Sequence, residues 1–285
     1  MVAEVFEYVL RGVLIGVTYG LLAYPISLLF VATATIDLAI GGYAVLGGAI
    51  AGLVPGPAGM ALGLLCATGS ACVVGLVSTL LAVRRRTDPL AAVLASFGFA
   101  IVLESLVLTV LGKDPFIRQP FSTFWNIFGV RISPQAGINL AVGLVILVFV
   151  FMLLYRTPWG RAMRASSVNP RGAALAGIPV RLAQFSAFVM AGLLAGVAGI
   201  LTLYTSGMSF SSGLYLTLTS LGAAILLGLH SPLRGFVGGI GIGIVEALSI
   251  GLAPQGLGTV LPYLFIFAAL CTGRMNRAGI EGGRA

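Results

Sequence analysis

The chain has 285 residues, of which 59% are hydrophobic and 8% charged, and its formal net charge is +8. A soluble globular domain carries about 25% charged residues, so the composition excludes that class and indicates an integral membrane protein. The sequence lacks the alternating ten-residue segments of a membrane β-barrel, and its 40 glycines favour closely packed helices, so the predicted fold is all-α.

Apolar segments follow one another along the chain, and a crossing needs about 20 residues. The predicted spans are 9–31, 36–55, 58–83, 90–111, 137–155, 183–204, 214–229, 235–252 and 258–273. The second, seventh and ninth are short or Gly-rich, which is typical of broken or re-entrant helices, and segment 36–55 either crosses or re-enters. We therefore predict a polytopic transmembrane helical bundle of about 8–9 spans that forms a single domain over residues 1–285.

Basic residues are divided unequally between the two sets of connecting loops. Twelve basic residues lie on one side: in the loops after the third and fifth spans, between the seventh and eighth spans, and in the C-terminal tail. The other four, Arg11, Lys113, Arg118 and Arg131, lie on the opposite side. We expect the protein to lie in the inner (plasma) membrane of the cell, and the positive-inside rule places the loops with the twelve basic residues in the cytoplasm. The N-terminus is then outside and the C-terminus cytoplasmic, and the net charge requires no nucleic acid.

The connection between the fifth and sixth spans, residues 156–182, is called the basic loop here. It contains five arginines and no acid. Asn169 suits a helix N-cap, Pro170 the first helical position and Gly177 the residue just past a helix end. The pattern predicts a short capped helix about 10 Å long at 1.5 Å per residue. A long basic loop in so apolar a chain indicates a docking partner.

Two acidic residues, Asp37 and Glu104, fall in or at the end of apolar segments, where charges are costly and often functional. Asp37 begins the second segment and is suited to an N-terminal cap. Gly41 and Gly42 follow it and predict a close approach of the backbone to another helix or to a solute. For Glu104, a protonated packing role is favoured over a role in transport.

A third acid, Glu246, follows glycines that recur every four residues. Gly235, Gly239 and Gly243 form one smooth helix face, and Glu246 lies three residues further on the same face. Glu246 is therefore predicted to point into the bundle. This face is a candidate for a transport pathway or for a contact with a second membrane subunit, and a structural hydrogen bond between helices is the alternative.

Residues that would support enzymatic chemistry are scarce. His230, the single histidine, lies in a predicted turn, and Gly112-Lys113-Asp114 lacks the flanking residues of a P-loop. Cys66, Cys72 and Cys271 lack metal-ligand spacing and are interpreted as buried small hydrophobic residues. We therefore predict no catalytic residues, no metal site, no ATPase site and no cofactor in this chain.

Several runs resemble the permeases of branched-chain amino-acid ABC importers of the LivH/LivM type. They are Gly160-Arg161-Ala162-Met163-Arg164-Ala165, Ala174-Leu175-Ala176-Gly177-Ile178, Leu193-Leu194-Ala195-Gly196-Val197-Ala198-Gly199, and the stretch from Leu227-Gly228 through Gly235-Phe236-Val237-Gly238-Gly239 to Glu246. The resemblance covers nearly the whole chain in order.

The resemblance implies an α-helical permease that translocates a small solute, with branched-chain or related amino acids as first choice. It implies a pore of two permeases, identical or different, two cytoplasmic ATPase subunits that use ATP and Mg, and a periplasmic solute-binding protein. In that family the matching loop lies on the ATPase. The residues expected to couple the two are Arg161, Arg164, Asn169, Pro170, Arg171 and Gly177.

Two sets of alternatives remain open. The run Ile36-Asp37-Leu38-Ala39-Ile40-Gly41 departs from the amino-acid pattern and is similar to that of ribose-type sugar permeases, so sugars, urea-like amides and other small solutes stay candidates. An ion-coupled secondary transporter or channel would use Glu104 and Glu246 near the bilayer midplane but leaves the basic loop unexplained. A membrane scaffold makes no use of the buried acids.

Overall fold

The computed structural model describes residues 2–83, 89–118, 121, 125–127, 130–252 and 260–271. These residues form helices and one antiparallel hairpin of two three-residue strands, β1 (Trp125–Ile127) and β2 (Val130–Ile132). The helices are α1 (Val2–Thr33), α2 (Ile40–Leu53), α3 (Pro57–Val83), α4 (Pro89–Leu111), α5 (Pro134–Arg156), α6 (Pro158–Val168), α7 (Pro170–Leu175), α8 (Val180–Thr205), α9 (Ser212–Leu227), α10 (Pro232–Leu252) and α11 (Leu261–Cys271). Six of them are long and apolar enough to cross a membrane, which confirms the polytopic helical bundle.

The three segments predicted to be short form the shortest apolar helices of the bundle. α2 has 14 residues, α9 has 16, and α11 has 11. At 1.5 Å per residue, α2 and α9 are about 21 Å and 24 Å long, shorter than the roughly 30 Å hydrocarbon core of a bilayer. Each of these two therefore begins or ends within the membrane.

The long helices divide into a central and a peripheral set. The most apolar window of α1 is 78% buried and that of α8 is 72% buried, whereas those of α4 and α5 are 22% and 28% buried. α1 contacts α10, α8, α9 and α5, while large apolar side chains of α3, α4 and α5 point away from the bundle. The outer helices therefore present the surface that the hydrocarbon of the bilayer covers.

Glycines on α1 and α10 allow the two helices to approach very closely. A Cβ placed on Gly16 would lie 2.5 Å from the Cα of Ile240, and one on Gly243 would collide with the backbone of Gly16. Gly239 meets Gly20 in the same way one turn further along. Backbone contact of this kind maximises van der Waals packing, which drives helix association where no hydrophobic effect operates.

Three successive helices begin with the same pattern, a polar N-cap residue followed by proline. Ser133 accepts a hydrogen bond from the Gln135 amide at the start of α5, and Thr157 accepts one from the Gly160 amide at the start of α6. α7 begins at Asn169-Pro170. Each cap satisfies an amide that the helix itself leaves unpaired.

The interpretation of the cysteines as buried residues is wrong. Cys66 on α3 and Cys271 on α11 are exposed on the surface of the bundle, and Cys72 is partly exposed. The reason is that α3 and α11 turn one face to the lipid, where a small apolar side chain is as stable as in the core. All three are free thiols.

Candidate functional site

A cavity of about 270 Å³ lies between α1, α8, α9 and α10, and we call it the Glu246 cavity. Its lining includes polar side chains from all four helices, and Glu246 is the one formally charged residue among the described residues that form it. They are listed here: Ile15, Thr18, Tyr19, Thr202, Thr205, Ser206, Gly207, Met208, Ser212, Tyr215, Leu216 and Glu246. A cavity between membrane helices that is lined by apolar surface with a few polar groups is a usual setting of a binding site.

Two tyrosines lead to the carboxylate of Glu246. The Tyr215 hydroxyl donates to Glu246 Oε1 at 3.0 Å, and the Tyr19 and Tyr215 hydroxyl oxygens are 3.1 Å apart. Since the Tyr215 proton is directed to Glu246, the Tyr19 hydroxyl is the donor to Tyr215. The chain of hydrogen bonds therefore runs from Tyr19 through Tyr215 to the carboxylate.

The second oxygen of this carboxylate has no such neighbour. Glu246 is 8% exposed, so it points into the bundle as its glycine face predicted. Its Oε2 atom is buried and has no hydrogen-bond partner among the described residues. A buried carboxylate oxygen without a partner costs free energy unless a ligand or water completes it.

Hydroxyl groups on the wall of the cavity are turned so that their oxygen atoms are acceptors. Thr18 donates its proton to the Ile15 carbonyl at 2.6 Å, and Thr202 donates to the Ala198 carbonyl at 2.8 Å. A threonine hydroxyl has one proton, so the lone pairs that remain on these oxygens can only accept. The described wall thus offers acceptors and few donors.

The other two acids of the membrane region, the buried Asp37 and the partly exposed Glu104, lie at a second place, where the first turns of α2 and α9 meet. Asp37 is 4% exposed, and its Oδ1 accepts from the Ala39 amide at 2.8 Å while its Oδ2 accepts from the Tyr43 hydroxyl at 3.0 Å. Asp37 thus orders the turn before α2, although the N-cap position itself is Ala39. Both carboxylate oxygens are engaged within this segment of chain.

The start of α9 is joined directly to the start of α2. The Gly41 amide donates to Thr217 Oγ1 at 2.9 Å, and a side chain on Gly41 would collide with the Gly213 carbonyl. Glu104 Oε1 accepts from the Leu214 amide at 3.2 Å, so a carboxylate from α4 lies at the positive end of α9. The glycine run is therefore explained by helix contact, and Gly42 rests against Leu103 of α4.

The sequence-predicted residues of the membrane region thus separate into three groups. Asp37, Gly41, Gly42 and Glu104 surround the junction of α2 and α9. Gly239 and Gly243 pack on α1 of the same chain, and Glu246 lines the cavity. The described residues contain no group of three His, Cys, Asp or Glu side chains arranged to hold a metal ion.

The basic loop carries two helices where the sequence predicted one. α6 was missed; it is anchored by Met163 and Ser166, which are both fully buried, and by Trp159, whose Nε1 donates to Ser186 Oγ of α8 at 2.9 Å. The guanidinium of Arg164 lies 4.8 Å from the ring centre of Tyr155 on α5. α6 is therefore fixed to both helices that flank the loop.

The predicted short helix is present as α7, with the predicted ends. Asn169 Oδ1 accepts from the Gly172 amide at 2.9 Å, and Pro170 is the first helical residue. Gly177 has φ of +79°, and the amide of Ile178 donates to the Ala173 carbonyl at 3.0 Å. This is the Schellman arrangement, which favours glycine because its φ is positive.

The outer surface of the basic loop combines apolar and basic side chains. Leu175 is 91% exposed and Val168 is 86% exposed, and Arg161 and Arg171 of the same loop are also exposed. Neither apolar residue belongs to a membrane-length helix. Large apolar side chains that are this exposed, in a loop that also has exposed arginines, are typical of a protein–protein contact.

Two residues of the candidate site, Tyr19 and Tyr215, were missed by sequence reasoning. Each lies within a long apolar segment, where a tyrosine is common at many positions. The separation of Tyr19 and Glu246 along the chain is large, so only the packing of α1 on α10 brings them together. A hydroxyl in an otherwise apolar span is the available signal, and it is weak.

These features define a class of protein: an integral membrane helical bundle with an internal cavity that contains a carboxylate and a connecting loop that forms two capped helices. The family model described as "Branched-chain amino acid transport system / permease component" matches residues 8–270. The chain therefore belongs to this family of ABC transporter permeases, which work with ATPase and solute-binding subunits.

Individual relatives differ in the solute that their names give. The probable branched-chain amino acid transport permease protein LivH of Methanocaldococcus jannaschii is 26% identical, over 92% of this chain and 88% of that protein. The fructose import permease protein FrcC of Rhizobium meliloti is 28% identical, over 84% of this chain and 69% of that protein. The solved structure of PsaBC from Streptococcus pneumoniae in complex with Fab aligns over 97% of this chain and 98% of that chain, with a TM-score of 0.50 and 14% identity, so the likeness concerns the fold alone.

Proposed function

We propose that this chain is the membrane-spanning subunit of an ABC importer, that it has no ATPase site or cofactor of its own, and that separate cytoplasmic ATPase subunits using ATP and Mg drive it. Its pore would pair two permeases, and a periplasmic solute-binding protein would deliver the solute. The observation that carries the proposal is the exposed apolar tip of the basic loop, formed by Leu175 and Val168 on rigid, capped helices. Residues 156–182 are then the coupling loop.

The transmission of movement follows from how α6 is held. α6 contacts α1, α5 and α8, and α7 contacts α6 and the start of α8. A force on α7 is therefore delivered to three membrane helices at once, because packed elements move as rigid bodies. In this proposal Arg161 and Arg171 contact the ATPase, Arg164 braces α6 through Tyr155, and Asn169, Pro170 and Gly177 fix the shape of α7.

The orientation proposed for the chain places the basic loop in the cytoplasm. α5 ends at the loop and α8 begins there, so both have their loop-side ends on one face of the membrane. The five arginines of the loop agree with the positive-inside rule. Counting crossings back from α5 puts the start of α1 outside, and counting forward from α8 puts the end of α11 inside, in the inner (plasma) membrane.

Branched-chain or related amino acids are the solute that we propose. LivH of M. jannaschii supports this choice, and FrcC of R. meliloti supports a sugar as the second candidate. The sugar-like run around Asp37 weighs little, because both oxygens of Asp37 bind their own segment and Asp37 is not part of the Glu246 cavity. That run bears on how α2 starts rather than on which solute passes.

The experiment is co-purification with the ATPase, combined with a charge placed at the tip of α7. Leu175→Asp should abolish co-elution of the ATPase and ATP-driven uptake, because an apolar contact cannot accommodate an unpaired carboxylate. The matched control is Ile117→Asp, which alters a 62% exposed apolar residue at the other end of the bundle and should leave co-elution intact. Ion-gradient-driven uptake by the lone wild-type chain would instead establish a secondary transporter.

A further inference from the structure

We infer that the Glu246 cavity binds the protonated amine of the transported solute, with the carboxylate of Glu246 as its counter-ion. The inference rests on the proposed function and names the chemical group that one of its sites selects. Three observations carry it: the position of the carboxylate, the direction of the hydrogen bonds and the charge of the wall.

The hydrogen bonds of the Glu246 carboxylate are those of a binding group rather than of a group that only holds helices together. Tyr215 satisfies Oε1, whereas the buried Oε2 has no hydrogen-bond partner among the described residues. A purely structural acid has both oxygens engaged, and Asp37 of the same chain shows this arrangement. Glu246 therefore retains a capacity to bind that the packing of the helices leaves unused.

The hydrogen-bond directions around the cavity favour a solute that donates. The protons of Tyr19 and Tyr215 point along the chain towards Glu246, and those of Thr18 and Thr202 are given to backbone carbonyls. What these groups offer to a solute is lone pairs. An ammonium group has three donors and no acceptor, so it matches this wall.

Charge favours the same group. No Lys, Arg or His occurs among the described residues that line the cavity, so a cationic solute would be the counter-ion of Glu246. The Tyr19 and Tyr215 rings, with centroids 6.5 Å apart, add π-faces that attract cations. A sugar has no cationic group that could serve as this counter-ion.

Saturation-transfer NMR on the purified full chain in nanodiscs tests the inference with four probes. They are L-leucine, 3-methylbutylamine, which keeps the amine and lacks the carboxylate, 4-methylpentanoate, which has the reverse, and ribose. We expect transfer to leucine and the amine, and little to 4-methylpentanoate or ribose. Equal or stronger transfer to 4-methylpentanoate or to ribose would overturn the inference.

Variants locate the binding. Glu246→Gln should weaken binding of 3-methylbutylamine about tenfold or more, since a hydrogen bond to a charged group is lost. The control is Ser249→Ala one turn further along α10, whose hydroxyl donates to the Val245 carbonyl and does not line the cavity. It should leave amine binding unchanged. Amine binding that survives Glu246→Gln would contradict the inference.

Two further measurements keep the test decisive. If Glu246→Gln is not recovered folded, Glu246→Asp takes its place, because aspartate keeps the negative charge. This variant should still bind 3-methylbutylamine in preference to 4-methylpentanoate. Loss of that preference would contradict the inference. Co-elution of the ATPase is recorded on the same preparations. A wild-type chain that retains the ATPase but shows no amine preference refutes this inference and leaves the proposed function standing.

Discussion

At the scale of single residues, the three acids of the membrane region differ in what their oxygens contact. Asp37 binds an amide and a tyrosine of its own segment, Glu104 binds the first turn of α9, and Glu246 has one oxygen without a hydrogen-bond partner among the described residues. Burial does not separate Asp37 from Glu246, since both are less than 9% exposed, whereas Glu104 is partly exposed. The partners of the carboxylate oxygens do separate the three residues.

Asp37 is expected to be a residue of stability. Asp37→Ala leaves the Ala39 amide and the Tyr43 hydroxyl buried without an acceptor, at a cost of about 1–3 kcal/mol for each. Thermal unfolding in detergent of Asp37→Ala, Tyr43→Phe and the double variant measures this cost. The two changes should be non-additive by about 1 kcal/mol or more, because the residues contact each other.

The result that would contradict this role is a double-mutant cycle in which the two effects simply add. Ser70→Ala serves as the control, since its hydroxyl donates only to the Ala67 carbonyl of its own helix. Its change in unfolding temperature should be additive with that of Asp37→Ala.

The sequence was sufficient to predict that Glu246 points into the bundle, but it did not identify the residues that Glu246 contacts. The spacing from Gly243 to Glu246 was sufficient to place the acid inside the bundle, because helical periodicity is local. Tyr19 and Tyr215 could not be assigned, since their meeting with Glu246 depends on the angle and depth at which three separate helices pack. Such contacts leave no periodic trace in one sequence.

At the scale of elements, the close contact of α1 and α10 is expected to hold the bundle together. Gly239→Ala would place a Cβ against the Gly20 backbone, and overpacking of this kind costs about 1–3 kcal/mol. Gly241→Ala on the same helix is the matched control, because no atom lies within 4 Å of its added Cβ. It should be neutral, or stabilising by roughly 0.5–1 kcal/mol through the lower entropy of alanine.

Thermal unfolding of the two variants side by side checks this prediction. Both changes add one methyl group to one helix, so any difference between them reports the contact with α1. Equal unfolding temperatures would show that α1 and α10 are not in backbone contact, which would also remove the basis for placing Tyr19 beside the Glu246 cavity.

The elements of the basic loop show which signals in a sequence are sufficient. α7 was predicted from Asn169, Pro170 and Gly177 because caps are local and their chemistry is specific. α6 begins with the same pair, at Thr157-Pro158, yet it was missed; its buried face is only recognisable once α5, α8 and α1 are in place. The second and seventh spans were predicted to be short, but their meeting at Gly41 and Gly213 was not.

At the scale of the whole molecule, α8 connects two sites that lie at different depths. The exposed tip of the basic loop lies at one end of α8, and the Glu246 cavity includes Thr202 and Thr205 near the other end. α8 has 26 residues, a length of about 39 Å. A tilt of α8 that begins at the loop would therefore change the shape of the cavity, as alternating access requires.

In the proposed function, a separate ATPase subunit binds the exposed end of α7. The most direct test is site-directed crosslinking in a cysteine-free background, with Leu175→Cys at the tip and Ile117→Cys at the opposite end of the bundle as the reference. We predict that position 175 crosslinks to the ATPase and is labelled by an impermeant thiol reagent only from the cytoplasmic side, while position 117 does neither. Labelling of position 175 from outside the cell, or the absence of any ATPase adduct in the assembled complex, would contradict the account.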